Sequence, residues 1–194
     1  MALFKIALAS MVVFIGNFSI GETVYYIDAG SRLTIDGSSN VNKFTCACNQ
    51  QFPQSTLRFD LSDGGRSARF TNAGLSIRTK SLDCGNNQMN KDMNQTLRAD
   101  QHPNIRIELT RTQLQEANQI SDTDWTPLKA TSTLTIAGVS KPVVFDVKAR
   151  RIGTDRIRLT ASREVLMTDF NIAPPKAMLG LIKVNDAIRI NMDL

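Results

Sequence analysis

Residues 133–147 read TLTIAGVSKPVVFDV. Leu134 and Ile136 alternate with Thr133 and Thr135. After a turn built on Gly138, Ser140, Lys141 and Pro142, Val143, Phe145 and Val147 alternate with Val144, Asp146 and Lys148. Successive side chains of a strand point to opposite faces, so five apolar residues share one side and the pattern predicts a β-hairpin with one apolar face. A lone hairpin is marginal in water, so other strands must complete it.

Outward from the hairpin the same period of two recurs. Toward the C-terminus, Ile157, Leu159 and Ala161 lead a strand toward Leu166, and Ile188, Ile190, Met192 and Leu194 end the chain in another. Between them, residues 168–180 (TDFNIAPPKAMLG) are too rich in proline for a regular element, although Phe170, Ile172, Met178 and Leu179 need cover. Toward the N-terminus, Ile105, Ile107 and Leu109 alternate, and residues 113–125 are polar and loop-like. Further back, residues 32–36 and 41–48 read as an opening pair of strands with Asn42, Phe44, Cys46 and Cys48 on one face. Leu57, Phe59 and Leu61 mark a third strand, and Phe70, Leu75 and Ile77 a fourth.

The period changes once. Over residues 86–99 (NNQMNKDMNQTLRA), Met89, Met93 and Leu97 fall at i, i+4 and i+8, with Asn residues at the start to cap and His102-Pro103 to stop, which predicts one α-helix. A Met stripe of this kind is core packing in the first instance, and also suits a site that accepts a flexible apolar ligand. About eight strands with short turns and one helix predict a mainly β domain, a single antiparallel β-barrel, because closure removes unpaired edges.

The chain has 194 residues, 42% hydrophobic and 21% charged, enough for one domain with an ordinary core. Lys5, the apolar run of residues 6–15, and Ser19 and Gly21 at small-residue positions predict a signal peptide over residues 1–21, with the barrel domain over 22–194. The apolar run is too short for a spanning helix, which needs roughly 20 apolar residues. Cleavage removes Lys5 and no acid, taking the formal charge from +5 to +4. That mild excess, without basic tracts, argues against a nucleic-acid partner. The expected location is the periplasm or the medium.

There Cys46, Cys48 and Cys84 meet oxidising conditions. Cys46 and Cys48, two apart on one strand, do not easily bridge each other, so one of them pairing with Cys84 is the plain expectation. A metal site of the three thiols with His102 has suitable ligand types but no recognised spacing. No metal and no cofactor are expected.

Catalytic machinery is thin. His102 is the one histidine, placed at a helix-to-strand junction where a packing role suffices, and the carboxylate pairs Asp122/Asp124 and Asp186/Asp193 read as solvated charge. No catalytic residue is assigned. Lys148, Arg150, Arg151, Arg156 and Arg158 cluster across one predicted hairpin and read as a charged outer face, with transient contact to an anionic membrane surface as the functional alternative. What remains is a barrel with an apolar interior, wide enough to be filled by side chains or to hold one small ligand.

Several motifs stand in one order: Ser39-Asn40-Val41-Asn42-x-Phe44, Leu82-Asp83-Cys84-Gly85-Asn86 with Met89 and Asp92-Met93, His102-Pro103-x-Ile105, residues 134–142, and Thr168-Asp169-Phe170-x-Ile172-x-Pro174-Pro175 through Met178-Leu179-Gly180. Together they resemble the YceI-like family over about residues 30–194. The resemblance implies an exported, lipocalin-like barrel holding a long isoprenoid chain, a polyprenyl lipid or a quinone tail; with so little catalytic machinery, no enzymatic activity is expected. It also implies a Cys46–Cys84 disulfide, leaving Cys48 as a free thiol or a rival for Cys84.

Facing and size then select Phe44, Phe70, Met89, Met93, Ile107, Phe145, Leu159, Phe170 and Met178 as the lining, with entry expected at the end flanked by the helix and residues 168–180. Two rivals remain. One is an envelope protein with a filled barrel and a protein partner, and the other is an enzyme of lipid or quinone chemistry using Asp169 or His102. The oligomeric state stays open, a homodimer among its outcomes.

Overall fold

A computed structural model describes residues 19–117 and 119–194, without the side chains of Ser19, Ile20, Ala177 and Met178. Of the expected signal peptide, residues 1–18 lie outside the described residues. Thirteen strands and one helix follow in order: β1 (Ser19–Tyr25), β2 (Arg32–Ser38), β3 (Lys43–Cys48), β4 (Ser55–Ser62), β5 (Ser67–Arg78), β6 (Leu82–Asp83), α1 (Asn87–Thr96), β7 (Asn104–Leu114), β8 (Thr126–Ile136), β9 (Val139–Ile152), β10 (Arg156–Leu166), β11 (Lys176–Ala177), β12 (Ile182–Lys183) and β13 (Ala187–Asp193).

Eleven of the strands make one antiparallel sheet in the order β1-β4-β5-β7-β8-β9-β10-β13-β2-β3-β6, and β11 with β12 form a separate hairpin. The sheet curls on itself. β3 and β4 are successive along the chain, so the run leaving the β2 edge at Cys48 arrives on the β5 edge at Ser55. The ends are also tied through β6, the continuation of β5, whose Leu82 and Asp83 pair with Cys48 and Ala47 of β3. Gln50 adds to this tie by donating to the Ser76 carbonyl and accepting from the Arg78 amide. Eight positions round the curl are therefore β5, β7, β8, β9, β10, β13, β2 and the bent run β3–β4. The strand count exceeds the roughly eight expected, with β1, β6 and the β11–β12 hairpin as additions to the ring, while the mainly β antiparallel class stands.

Alternation places the core. Direct cross-strand partners share a face, and the registers Leu114↔Leu128, Leu128↔Val147, Val147↔Ala161, Ala161↔Met192 and Met192↔Leu33 draw one apolar row across six strands. Every member of the row is 4–8% exposed. The β8–β9 hairpin turns tightly at Ala137-Gly138, both at positive φ. Above it Leu134, Phe145 and Phe170 are 0–1% exposed, Phe170 being held in a 3-10 turn over Met167–Phe170. A Leu, Ile or Phe buried in this way contributes about 1.5–3 kcal/mol.

The helix is four residues shorter than the 86–99 expected, because its ends are capped inside that span. The Asn86 side chain accepts from the Met89 amide at 3.0 Å, and the chain leaves the helix at Arg98, whose φ of 51° is left-handed.

Candidate functional site

Among the described residues, the inward apolar side chains that do not pack on the core cluster lie on β3, β4 and the first half of β5. Phe59 pairs with Phe70 and Leu61 with Ala68. Ala68 pairs with Thr112, and Thr112 with Ala130 of the core. These side chains therefore face inward, and Leu57 shares their face by alternation. On β3, Phe44 lies opposite Gly37 and on the same face as buried Cys46. Phe44, Leu57, Phe59, Leu61 and Phe70 are all half-buried. Among the described residues, none of the five packs against the core cluster that fills the other wall.

The Phe44 ring lies where a Cβ on Gly37 would stand, and the Phe59 ring lies over Gly21 of β1, the last residue of the expected signal peptide. Beside the wall, at the seam, Ile27 to Leu33, Cys48 to Phe52 and Leu194 enclose a cavity of about 180 Å³. A wider, open depression of about 550 Å³ crosses β8, β9, β10 and β13 at Leu128, Val147, Ala161 and Met192.

The expected lining residues are not brought together. Phe44 and Phe70 stand on the unpacked wall. Ile107, Phe145 and Phe170 belong to the packed core, and Met93 and Leu159 lie half-buried against it. Met89 is half-buried on α1, and the Met178 side chain lies outside the described residues. Leu57, Phe59 and Leu61 were not among the nine, although their alternation was visible; what was hidden is the register that sets them opposite Phe70 and Ala68. The end beside residues 168–180, expected as the mouth, is filled by Met167, Phe170 and Ile172, which are 1–7% exposed. The smaller cavity lies at the seam and the wider depression over β8, β9, β10 and β13.

Around this apolar wall the polar chemistry is structural. Cys46 and Cys84 form a disulfide, and Cys48 keeps a free thiol 3.6 Å from the Ser81 hydroxyl. Two of the four groups of the weighed metal site are thus bonded to each other. The His102 ring packs on Gly138, and Asp169 is exposed. Asp83 is held below the usual carboxylate range by the Asn90 amide and the Gly85 backbone N–H. Arg158 does the same for Asp193, and Lys129 for Asp146. These are surface groups.

The basic cluster is largely engaged. Arg158 forks Asp193 at 3.1 and 3.0 Å, Arg150 stacks 5.3 Å from the Trp125 ring centre, and Arg156 lies 3.9 Å from Asp28. That is a partnered outer face.

Residues 25–194 match the family model described as a YceI-like domain. No curated protein matches the chain. Among solved structures, BcnA of Burkholderia cenocepacia superposes with a TM-score of 0.59 at 16% identity, covering 84% of this chain and 94% of its own. A polyisoprenoid binding domain from Saccharophagus degradans, implicated in plant cell wall breakdown, gives 0.59 at 12% identity over 90% and 97%. A variant of the Campylobacter jejuni YceI protein gives 0.52 at 17% over 100% and 90%. At these identities the likeness is one of fold.

Proposed function

The chain belongs to the YceI-like domain family, and from that footing we propose that it is an exported, non-catalytic carrier of a long isoprenoid chain, a polyprenyl lipid or a quinone tail. The ligand lies between the β4–β5 wall and the packed core. The observation that carries this reading is the inward wall of Phe44, Leu57, Phe59, Leu61 and Phe70, apolar and incompletely buried where a filled barrel would bury it. A water-exposed apolar surface of this kind is offset by an apolar occupant, and each buried methylene contributes about 0.8 kcal/mol. A chain of many carbons then needs few polar contacts. The polyisoprenoid binding domain of similar fold supports the ligand class.

Entry runs along the seam, where β3 and β4 part and residues 27–33 and 48–52 leave a cavity. Export follows from residues 1–21 and is supported by the Cys46–Cys84 bridge, a bond that persists in oxidising compartments.

The test is native mass spectrometry of the exported protein prepared without detergent, followed by solvent extraction. A discrete added mass that resolves to an isoprenoid is expected, and Phe59→Glu with Phe70→Glu should lose it while keeping the β-sheet circular dichroism. Phe145 and Phe170 are unsuited to this test, because at 1% exposure a charge there unfolds the core. An empty protein that also refuses added polyprenyl and quinone lipids would sink the proposal and send the search toward a protein partner.

A further inference from the structure

The β11–β12 hairpin carries two leucines outward. Leu179 is 107% exposed and Leu181 73% exposed, and Leu179 holds a left-handed φ of 57° that stands its side chain away from the protein. A branched residue in that conformation is disfavoured, and such strain clusters where function requires it. The neighbouring turn brings Val41, 62% exposed, to the same place. This is a built arrangement: the Asn40 amide donates to the Lys183 carbonyl at 3.0 Å, the Asn40 side chain donates to the Leu181 carbonyl at 2.9 Å, and the Lys183 amide returns to Asn40 Oδ1 at 2.8 Å. Ser39 and Val184 add a bridge.

Three lysines stand on the same two segments. Lys43, Lys176 and Lys183 are exposed, and neither residues 37–43 nor residues 172–185 contain an acid. Lys176 and Lys183 oppose each other directly across the two-residue ladder. Like charges in that position repel unless an anion lies against both. An apolar tip next to a pair of lysines has two signals for one partner, since acyl chains receive the leucines and anionic headgroups the lysines.

We propose that the β11–β12 hairpin, with Val41, docks the protein on the surface of an anionic phospholipid bilayer, Leu179 and Leu181 entering the interface. This deepens the carrier reading by giving the loading step a membrane. The docking assay nevertheless uses vesicles free of isoprenoid, so that loss of docking and loss of barrel loading are read separately.

Flotation with vesicles of phosphatidylethanolamine and phosphatidylglycerol is compared with vesicles of phosphatidylcholine. The wild-type protein should float with the anionic vesicles and be released by salt. Leu179→Ser with Leu181→Ser should lower partitioning at least about tenfold, as expected from two exposed leucines that no longer transfer out of water. Lys176→Gln with Lys183→Gln should abolish the preference for anionic over zwitterionic vesicles. Both pairs lie on an exposed hairpin, and unchanged circular dichroism confirms the fold. A wild-type protein indifferent to anionic vesicles, leucine variants that float as well as wild type, or leucine-dependent dimers in place of vesicle binding would each overturn the proposal.

Discussion

The Cys46–Cys84 bridge closes a loop of 38 residues that holds the end of β3, all of β4 and β5, and the β6 tie, which is the whole seam of the curl. In the chain-entropy description a loop of that size confers about 4 kcal/mol, within the common 2–4 range or at its edge. Cys46→Ser with Cys84→Ser, or reduction of the wild type, should therefore lower the urea midpoint by the corresponding amount; superimposable curves with and without reductant would show that the bridge constrains nothing. The residues alone left Cys46 and Cys48 as equal suitors for Cys84. The β3–β6 register decides between them: Ala47 opposite Asp83 leaves Cys46 facing Cys84. Beside the bridge, Asp83 accepts from Asn90 and Gly85, and these bonds hold its pKa low. A depressed carboxyl pKa contributes stability that is fully present above the unfolded-state value of about 3.9 and is lost as pH falls through the lower folded value. Asp83→Asn should thus destabilise the protein at neutral pH and differ progressively less from wild type in acid. A difference independent of pH would remove the charge from the account.

At the scale of elements, α1 depends on its first turn. Its body is mostly polar and none of its residues is fully buried, so packing through Met93 and the following Leu97 is modest and the cap carries a larger share. Asn86→Ala should cost about 1 kcal/mol and speed amide exchange across residues 87–96 more than across β8 and β9. The β8–β9 turn has the opposite character. A Cβ on Gly138 would come 2.5 Å from the His102 ring at a φ of 84°, so Gly138→Ala should both strain the turn and push His102 aside, at a cost of about 1–3 kcal/mol read from the thermal midpoint. These two elements were the most legible ones. Alternation over residues 133–147 appears as β8 and β9, and Asn86 and Pro103 bracket the helix, because capping and pleat are local rules. Ring position is not local. Phe59 and Phe70 sit eleven residues apart in a hairpin whose facing depends on the Arg69/Ala73 irregularity and on β7 beyond it. Facing and size therefore place Phe145 and Phe170 in the lining, where packing makes them core.

For the whole molecule, one wall is packed and the other is not, and this asymmetry predicts how a ligand acts on stability. Anything that binds the folded state alone raises its stability by RT ln(1 + [L]/Kd), about 2.7 kcal/mol at a hundredfold excess over Kd. If the occupant lies against Phe44, Phe59 and Phe70, the gain is not spread evenly. Amides of β4 and the first half of β5 have apolar cover on one side alone in the empty protein and should exchange fast, whereas those of β8 and β9, under Leu134 and Phe145, should already be protected. Loading the delipidated protein with a polyprenyl lipid should then slow exchange in residues 55–71 selectively and leave residues 128–147 nearly unchanged. Equal protection of both walls would mean that the ligand acts on global stability from a site elsewhere. Protection confined to β8, β9, β10 and β13 would move the binding site to the depression over Leu128, Val147, Ala161 and Met192. The seam makes the first outcome the expected one: a single bent run and a two-residue tie close the curl there, so it is where a long chain can enter with the fewest backbone hydrogen bonds to break.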